Sequence, residues 1–124
     1  MKIQESAENY LEAILILSNE KANVRSIDVA NELGFSKPSV SVAMRNLRDN
    51  GYIQTNEEGH LLLTDSGRKI AETMYERHTM LSQWLMRLGV NSKTAVEDAC
   101  RIEHVISAES FSAIKEHVMK PDNQ

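Results

Sequence analysis

The sequence predicts a mainly α-helical protein that contains one short β-hairpin. Over most of its 124 residues, apolar side chains recur at the three- and four-residue spacing of an amphipathic helix. That spacing is interrupted in YIQTNEEGHLLLT, where two short apolar runs, Tyr52–Ile53 and Leu61–Leu63, flank a turn-prone segment. Only 5% of the residues are aromatic, so we expect a core of aliphatic side chains.

Two helices are predicted at the start of the chain. SAENYLEAILIL has helical apolar spacing, and Ser6 is its expected N-cap because a serine side chain accepts a hydrogen bond from a free backbone N–H of the first turn. VRSIDVANELG predicts a shorter second helix, with Ser26 as the expected N-cap and Gly34 as the residue that ends it.

The stretch FSKPSVSVAMRNLRDNG predicts a third helix directly after a short turn. Ser36 is its expected N-cap, Pro38 lies in the first turn where no backbone N–H is needed, and Gly51 ends it. The helical spacing predicts that its inward face consists of Val40, Ala43, Met44 and Leu47.

Three further helices are predicted after the hairpin. A long helix begins at Thr64 or Asp65 and ends at Gly89. KTAVEDACRIEHVI follows with Asn91 or Ser92 as its cap, and AESFSAIKEHVMK is the last helix. Ser107 is the expected cap of that last helix and Pro121 its end.

The order helix, helix, turn, helix, hairpin is typical of a winged helix-turn-helix, a DNA-binding module. We therefore predict such a domain over residues 1–72 and a helical domain over 73–124, with the long helix (about 65–88) bridging both. The alternative is a small helical domain without a DNA-binding role.

The predicted third helix carries the local positive charge that DNA binding requires. The chain as a whole has a net charge of −4, which excludes a generally basic surface, but residues 36–50 hold three basic residues against Asp49 alone. Arg45 and Arg48 are candidate phosphate contacts, and the alternative is a solvated helix face. The acidic hairpin tip, NEEGH, argues against insertion of a basic wing into the minor groove. The predicted DNA-contacting residues are Ser36, Lys37, Ser39, Ser41, Val42, Arg45 and Arg48.

The only cysteine of the chain, Cys100, precedes Glu103 and His104 at helical spacing, so the three side chains leave one helix face. Three interpretations are open. The cysteine is a buried core residue, or Cys100 and His104 form a nucleophilic dyad, or the face supplies metal ligands. The dyad is disfavoured because one helix face lacks separately placed oxyanion donors, so we expect no enzyme.

Further metal ligands are available elsewhere in the sequence. His78 lies on the long helix, and the short LGVNS connection allows that helix to fold back against the one that carries Cys100. Asn9 and Glu12 share one face of the first helix. His60 and His117 are poorer candidates because one lies in the wing and the other has no ligand-like neighbours.

YERHTML and DACRIEHVIS, following a winged helix, resemble the metal-dependent repressors related to the diphtheria toxin repressor and the manganese transport regulator. The resemblance covers SAENYLEAI to SAIKEHV and implies that Glu12, His78, Cys100, Glu103 and His104 are ligands. Asn9 falls where the iron type has Met and the manganese type Asp. Val96 and Ser82 stand where the ancillary site of the iron type would need ligands. In length the chain resembles the two-domain manganese type, without the C-terminal β-barrel domain of the iron type.

The resemblance implies a homodimeric repressor that is activated by a divalent ion, binds a palindromic double-stranded operator and controls metal-uptake genes. Because a thiolate favours softer ions, Fe²⁺ is the first expectation and Mn²⁺ the second, and Co²⁺, Ni²⁺ or Zn²⁺ can substitute in vitro. The helical domain then binds the metal and dimerises. The expected dimer residues are Trp84, Leu85, Leu88, Ile106, Phe111 and Ile114.

Two alternatives remain. One is a winged-helix regulator that responds to an organic ligand or to oxidation of Cys100, with no metal. The other is a metal enzyme with an open coordination position for a substrate, which no catalytic base or oxyanion motif in the sequence supports. No apolar run is long enough to cross a bilayer, and the N-terminus does not resemble a signal peptide. We therefore expect a cytoplasmic protein with no membrane partner and no organic substrate.

Overall fold

The structure, a computed structural model, describes residues 5–119 and divides into two compact units, Met1–Thr73 and Met74–Gln124. The predicted mainly α-helical class and the order of the elements are confirmed. The elements are α1 (Glu5–Glu20), α2 (Ser26–Leu33), α3 (Lys37–Asp49), β1 (Ile53–Thr55), β2 (Leu61–Leu63), α4 (Asp65–Arg87), α5 (Ser92–Val105) and α6 (Ala108–Met119).

The first unit is a winged helix-turn-helix built around an aliphatic core. α1, α2 and α3 pack on one another, α1 and α3 also pack on the hairpin, and each helix contributes apolar side chains that are almost completely buried. The predicted inward face of α3 is confirmed for Val40, Met44 and Leu47, whereas Ala43 is half-buried. The centre of this core contains Leu11, Ile14, Val29, Val40, Ile53 and Ala71.

Two of the predicted N-caps are wrong. Ser6 lies inside α1, which already includes Glu5. Ser26 is the first helical residue of α2, and its N-cap is Arg25. The cause is Asp28 at the third position of the helix. Its carboxylate accepts a hydrogen bond from the backbone N–H of Arg25 at 2.8 Å, and this bond fixes Arg25 rather than a serine at the N-cap.

The hairpin is antiparallel, with Ile53 opposite Leu63 and Thr55 opposite Leu61. Its turn is held by Asn56, whose Oδ1 accepts hydrogen bonds from the backbone N–H groups of Glu58 (3.0 Å) and His60 (2.9 Å). Asn56 therefore closes the wing by side-chain-to-backbone bonds within the turn.

The start of α4 lies directly against the chain that enters the hairpin. Thr64 Oγ1 accepts a hydrogen bond from the N–H of Gly67 at 3.1 Å and donates one to the carbonyl of Gly51 at 2.7 Å. A β-carbon on Gly67 would lie 2.0 Å from the carbonyl oxygen of Tyr52. Only glycine permits this approach.

The second unit has its own, smaller core. Leu81, Ala99 and Phe111 are buried, and half-buried apolar residues of α4, α5 and α6 pack against them. Asn91 caps α5, and the predicted cap of α6 is confirmed because Ser107 Oγ accepts from the N–H of Ser110 at 3.0 Å. Pro121 lies outside the described residues.

The residues expected at a dimer interface differ in exposure. Phe111 is only 7% exposed within a single chain, and the same core includes Trp84, Ile106 and Ile114. Leu85 is half-buried, and Leu88 is 65% exposed. Within residues 5–119, no helix combines the length and the apolar character needed to cross a membrane.

Candidate metal centre and nucleic-acid interface

The first turn of α3 forms a positively polarised surface. Ser36 is the N-cap, Pro38 lies in the first turn, and that turn contains no acidic residue. The N-terminus of a helix attracts anions, and the exposed Lys37 adds a full positive charge there. All seven residues expected to contact DNA are exposed: Ser36, Lys37, Ser39, Ser41, Val42, Arg45 and Arg48.

The side chains of Ser36 and Ser39 at this end of α3 are hydrogen-bonded to each other. Ser36 Oγ accepts from the N–H of Ser39 at 3.3 Å and donates to Ser39 Oγ at 2.9 Å. Ser39 Oγ is the acceptor in this pair, so the O–H of Ser39 is not used in it. Val42, which is 49% exposed, adds an apolar contact surface one turn further along the helix.

Arg48 has a structural partner that the sequence did not reveal. Its Nη1 donates to Thr55 Oγ1 at 3.0 Å, which connects the last turn of α3 to β1 of the wing. Both side chains are exposed, so the remaining donors of the guanidinium face solvent. Arg48 thus links the predicted recognition helix to the hairpin.

The candidate metal centre is built around Glu103 of α5, which is completely buried. Its Oε1 lies 2.9 Å from Nδ1 of His78 on α4, and its Oε2 lies 3.6 Å from Nε2 of His104. The His104 side chain is only 3% exposed, whereas that of His78 is 25% exposed. Three of the residues predicted as ligands therefore lie together in the second unit.

The other predicted ligands are placed differently. Cys100 is exposed on α5, so the interpretation of this cysteine as a buried core residue is wrong. In the first unit, Asn9 is half-buried on α1, and Glu12 is 6% exposed. Glu12 is the only charged residue among the buried side chains of the described part of α1, the others being Leu11, Ala13, Ile14, Leu15 and Leu17.

The chemistry of Glu103 fits a bound cation. Its Oε2 is buried and has no hydrogen-bond partner among the residues that the structure describes. A carboxylate oxygen removed from water without a donor is costly, and a divalent cation would compensate for that cost. Carboxylate, imidazole and thiol groups together are the donors that first-row transition metals prefer. The residues present therefore fit a metal ion.

Arg77 is a residue of this region that the sequence did not single out. It precedes His78 on α4, and its Nη1 donates to the backbone carbonyls of Glu103 (3.0 Å) and Ile106 (2.9 Å). Its spacing from the ligand residues carries no signal, because an arginine on an amphipathic helix is ordinarily a surface residue. Only the packing of α4 against α5 brings its guanidinium to these carbonyls.

Two family models match the chain in succession. Residues 2–61 match the N-terminal DNA-binding domain of the iron dependent repressors, and residues 64–124 match their metal binding and dimerisation domain. The transcriptional regulator MntR of Salmonella typhimurium is 34% identical over 110 residues, which are 89% of this chain and 70% of that protein. The chain belongs to the iron-dependent repressor family.

Other members of the family agree with this assignment. The HTH-type transcriptional regulator MntR of Geobacillus thermodenitrificans is 34% identical over 109 residues, covering 88% of this chain and 77% of that protein. A solved manganese-dependent transcriptional repressor in complex with manganese superimposes with a TM-score of 0.83 at 28% identity over 93% of this chain. The chain spans about half (53%) of the length of that solved repressor. These relatives are transcriptional regulators rather than enzymes.

Proposed function

We propose that this chain is a homodimeric transcriptional repressor that binds operator DNA when a divalent transition metal is bound, and that it controls metal-uptake genes. The observation that carries the proposal is the buried Glu103, with imidazoles beside both of its carboxylate oxygens and no hydrogen-bond partner for Oε2 within residues 5–119. The winged helix supplies the surface for DNA, and membership in the repressor family joins the two functions.

The proposed ligands come from both units. Glu103, His104, His78 and Cys100 would hold the ion from the second unit, and Glu12 with Asn9 from the first. The burial of Glu12 supports its assignment, because a buried carboxylate in proteins is paired or coordinates a metal. Asn9 can offer only a neutral amide oxygen, so we expect it to contribute least.

In this proposal, the ligands of the DNA-binding unit and those of the dimerising unit would be linked through the bound ion. Ligands on both units allow metal to favour one arrangement of the two recognition helices, provided that this arrangement binds the ion more tightly than the others do. In the favoured arrangement, the α3 helices of a dimer would enter major grooves of a palindromic operator about 34–36 Å apart, or a multiple of that distance.

We propose Fe²⁺ as the physiological ion, ahead of Mn²⁺. The argument for Fe²⁺ is Cys100, because a thiolate favours softer and later metals than Mn²⁺. Mn²⁺ stays the second candidate, since the solved relative is a manganese-dependent repressor in complex with manganese. Co²⁺, Ni²⁺ and Zn²⁺ are expected to bind in vitro at least as tightly, following the general order of divalent-metal affinities.

The test is a DNA-binding titration under anaerobic conditions. The probe is a duplex selected from a randomised pool by the wild-type protein in the presence of Fe²⁺ and Mn²⁺. Affinity for this duplex is then measured for metal-free protein and for protein with Fe²⁺, Mn²⁺, Co²⁺ or Zn²⁺. We expect metal to tighten binding by about 5–150-fold, the usual range of coupling between two sites.

The double variant Glu103→Ala with His104→Ala should lose this metal response. His117→Ala is the matched control, because His117 is an exposed histidine of α6 and not a proposed ligand. Equal affinity of wild-type protein for the duplex with and without each metal would overturn the proposal. A change in affinity on treating metal-free protein with a thiol oxidant would instead support the thiol-sensing regulator.

Cys100→Ser tests the choice of metal. Loss of the thiolate should raise the concentration of Fe²⁺ needed for half-maximal DNA binding more than that of Mn²⁺. If Mn²⁺ activates the wild-type protein at a lower free concentration than Fe²⁺ does, Fe²⁺ is the wrong assignment.

The proposed dimer surface lies on the second unit around Leu88, the most exposed of the predicted interface residues. Leu88→Glu places a charge on that surface and should convert the dimer to monomer in sedimentation experiments. Val96→Glu is the control, since Val96 is also an exposed apolar residue, 43% exposed, but is not a proposed interface residue. A dimer that persists in Leu88→Glu would refute this assignment.

A further inference from the structure

Arg77 holds the end of α5 at the point where two of the proposed metal ligands lie. α5 ends at Val105, so Glu103 and His104 belong to its last turn, and Ile106 is its C-cap. Arg77 Nη1 donates to the carbonyl of Glu103 at 3.0 Å and to the carbonyl of Ile106 at 2.9 Å. The last carbonyls of a helix lack partners within the helix, so a helix end frays unless other groups bind them. Arg77 supplies that partner here.

The guanidinium is held in place by more than these two hydrogen bonds. It lies over the ring of Phe111 of α6, with 5.6 Å between its central carbon and the ring centroid. Its Nε is buried and has no hydrogen-bond partner in the part of the chain that the structure describes. A solvated surface arginine would keep all five of its N–H donors in water or paired, whereas Arg77 gives one up. The position of the side chain is thus imposed by α5 and α6.

Two consecutive residues of α4 therefore contact Glu103, one at its side chain and the other at its backbone. His78 meets its carboxylate through Nδ1 at 2.9 Å, and Arg77 meets its backbone carbonyl. We infer that Arg77 is a positioning residue for the metal site: it orders the last turn of α5 so that Glu103 and His104 are already in place when metal arrives. This inference rests on the proposed function, because it needs a metal at Glu103.

The expected size of the effect follows from what Arg77 does. It does not bind the ion, so its loss should leave every ligand present but less well ordered. Loss of groups that orient metal ligands typically weakens metal binding by about 10–100-fold. Ligands that must be ordered on binding cost affinity, whereas loss of stability alone leaves the affinity of the folded protein unchanged.

The experiment compares Arg77→Met, Arg77→Lys and Arg87→Met with the full-length wild-type protein. Met keeps an unbranched aliphatic stem and removes the guanidinium. Arg87 is the matched control, because it is also an arginine of α4 that donates to a backbone carbonyl, that of Val118 at 3.3 Å, away from the ligand residues. Affinity for Mn²⁺ is measured by competition with a fluorescent chelator, at a temperature where circular dichroism shows every variant folded.

We expect Mn²⁺ binding to weaken by about 10–100-fold in Arg77→Met, by less in Arg77→Lys, and to stay within about 2-fold of wild type in Arg87→Met. Hydrogen exchange of metal-free protein is the second measurement. The backbone amides of residues 103–107 should exchange faster in Arg77→Met than in wild type, and those at the start of α5 should not.

Unchanged Mn²⁺ affinity and unchanged exchange in Arg77→Met would overturn the inference. Equal weakening in Arg77→Met and Arg87→Met would also overturn it, since that result would mean a general loss of packing on α4. A wild-type protein that binds no Mn²⁺ and no other divalent metal would refute the proposed function itself. The exchange measurement needs no metal, so the two failures are distinguishable.

Discussion

Gly67→Ala should destabilise the protein although alanine is the better helix former. Gly67 lies in the first turn of α4, and the added β-carbon would be 2.0 Å from the carbonyl oxygen of Tyr52 and 2.9 Å from its carbonyl carbon. Relief to an ordinary contact of 3.4 Å requires α4 and the chain at Tyr52 to separate by roughly 1.4 Å. Backbone, rather than a flexible side-chain end, would have to move.

Three hydrogen bonds are lost or weakened by that movement. The N–H of Thr64 donates to Tyr52 O at 3.1 Å, Thr64 Oγ1 donates to Gly51 O at 2.7 Å, and the N–H of Gly67 donates to Thr64 Oγ1 at 3.1 Å. At about 0.5–1.5 kcal/mol each, they are together worth about 1.5–4.5 kcal/mol. The gain in helix propensity is about 1 kcal/mol, so the expected net loss of unfolding free energy is about 0.5–3.5 kcal/mol.

The measurement is urea unfolding of metal-free protein followed by far-ultraviolet circular dichroism. Ser66→Ala is the control, because Ser66 is the exposed neighbouring residue, and its replacement should change the unfolding free energy by less than about 0.5 kcal/mol. If Gly67→Ala instead raises the unfolding free energy by about 1 kcal/mol, helix propensity has outweighed the contact and our reasoning is refuted.

Three further changes test the DNA-binding unit. The hydrogen bond from the Arg25 backbone and the one from Lys21 hold the pKa of Asp28 below its ordinary value of 3.8. Asp28→Asn should therefore have a lower free energy of unfolding in urea than wild type at pH 7. This difference in unfolding free energy should shrink as the pH falls through the lowered pKa of Asp28, and a difference that does not change with pH would contradict this role of the carboxylate. Ser36→Ala removes the N-cap of α3 and should cost about 1 kcal/mol in urea unfolding, unlike the exposed Ser41→Ala. Lys37→Gln should weaken binding to all duplexes and reduce the slope of log affinity against log salt by about 1; an unchanged slope would mean that Lys37 contacts no phosphate.

Much of the fold could be predicted because its signals are local. The period of the apolar residues predicted the six helices that lie within residues 5–119, and its interruption predicted the hairpin. The cap of α3 was predictable since Ser36 and Pro38 act within one helical turn. The cap of α2 was not predictable, because two local signals competed. The carboxylate of Asp28 accepts a hydrogen bond from the backbone N–H of Arg25, so that Arg25 rather than Ser26 is the N-cap.

The sequence by itself also determined that Cys100, Glu103 and His104 leave one face of a helix, because that depends on spacing alone. Tertiary structure decided what each of them does there: Glu103 is completely buried with one oxygen left without a hydrogen-bond partner among the described residues, His104 lies beside it, and Cys100 is exposed. Arg77 meets the carbonyl of Glu103 across 26 residues of sequence, and Gly67 meets the carbonyl of Tyr52. Such contacts join residues whose separation carries no periodic signal, so they exist only once the elements have packed.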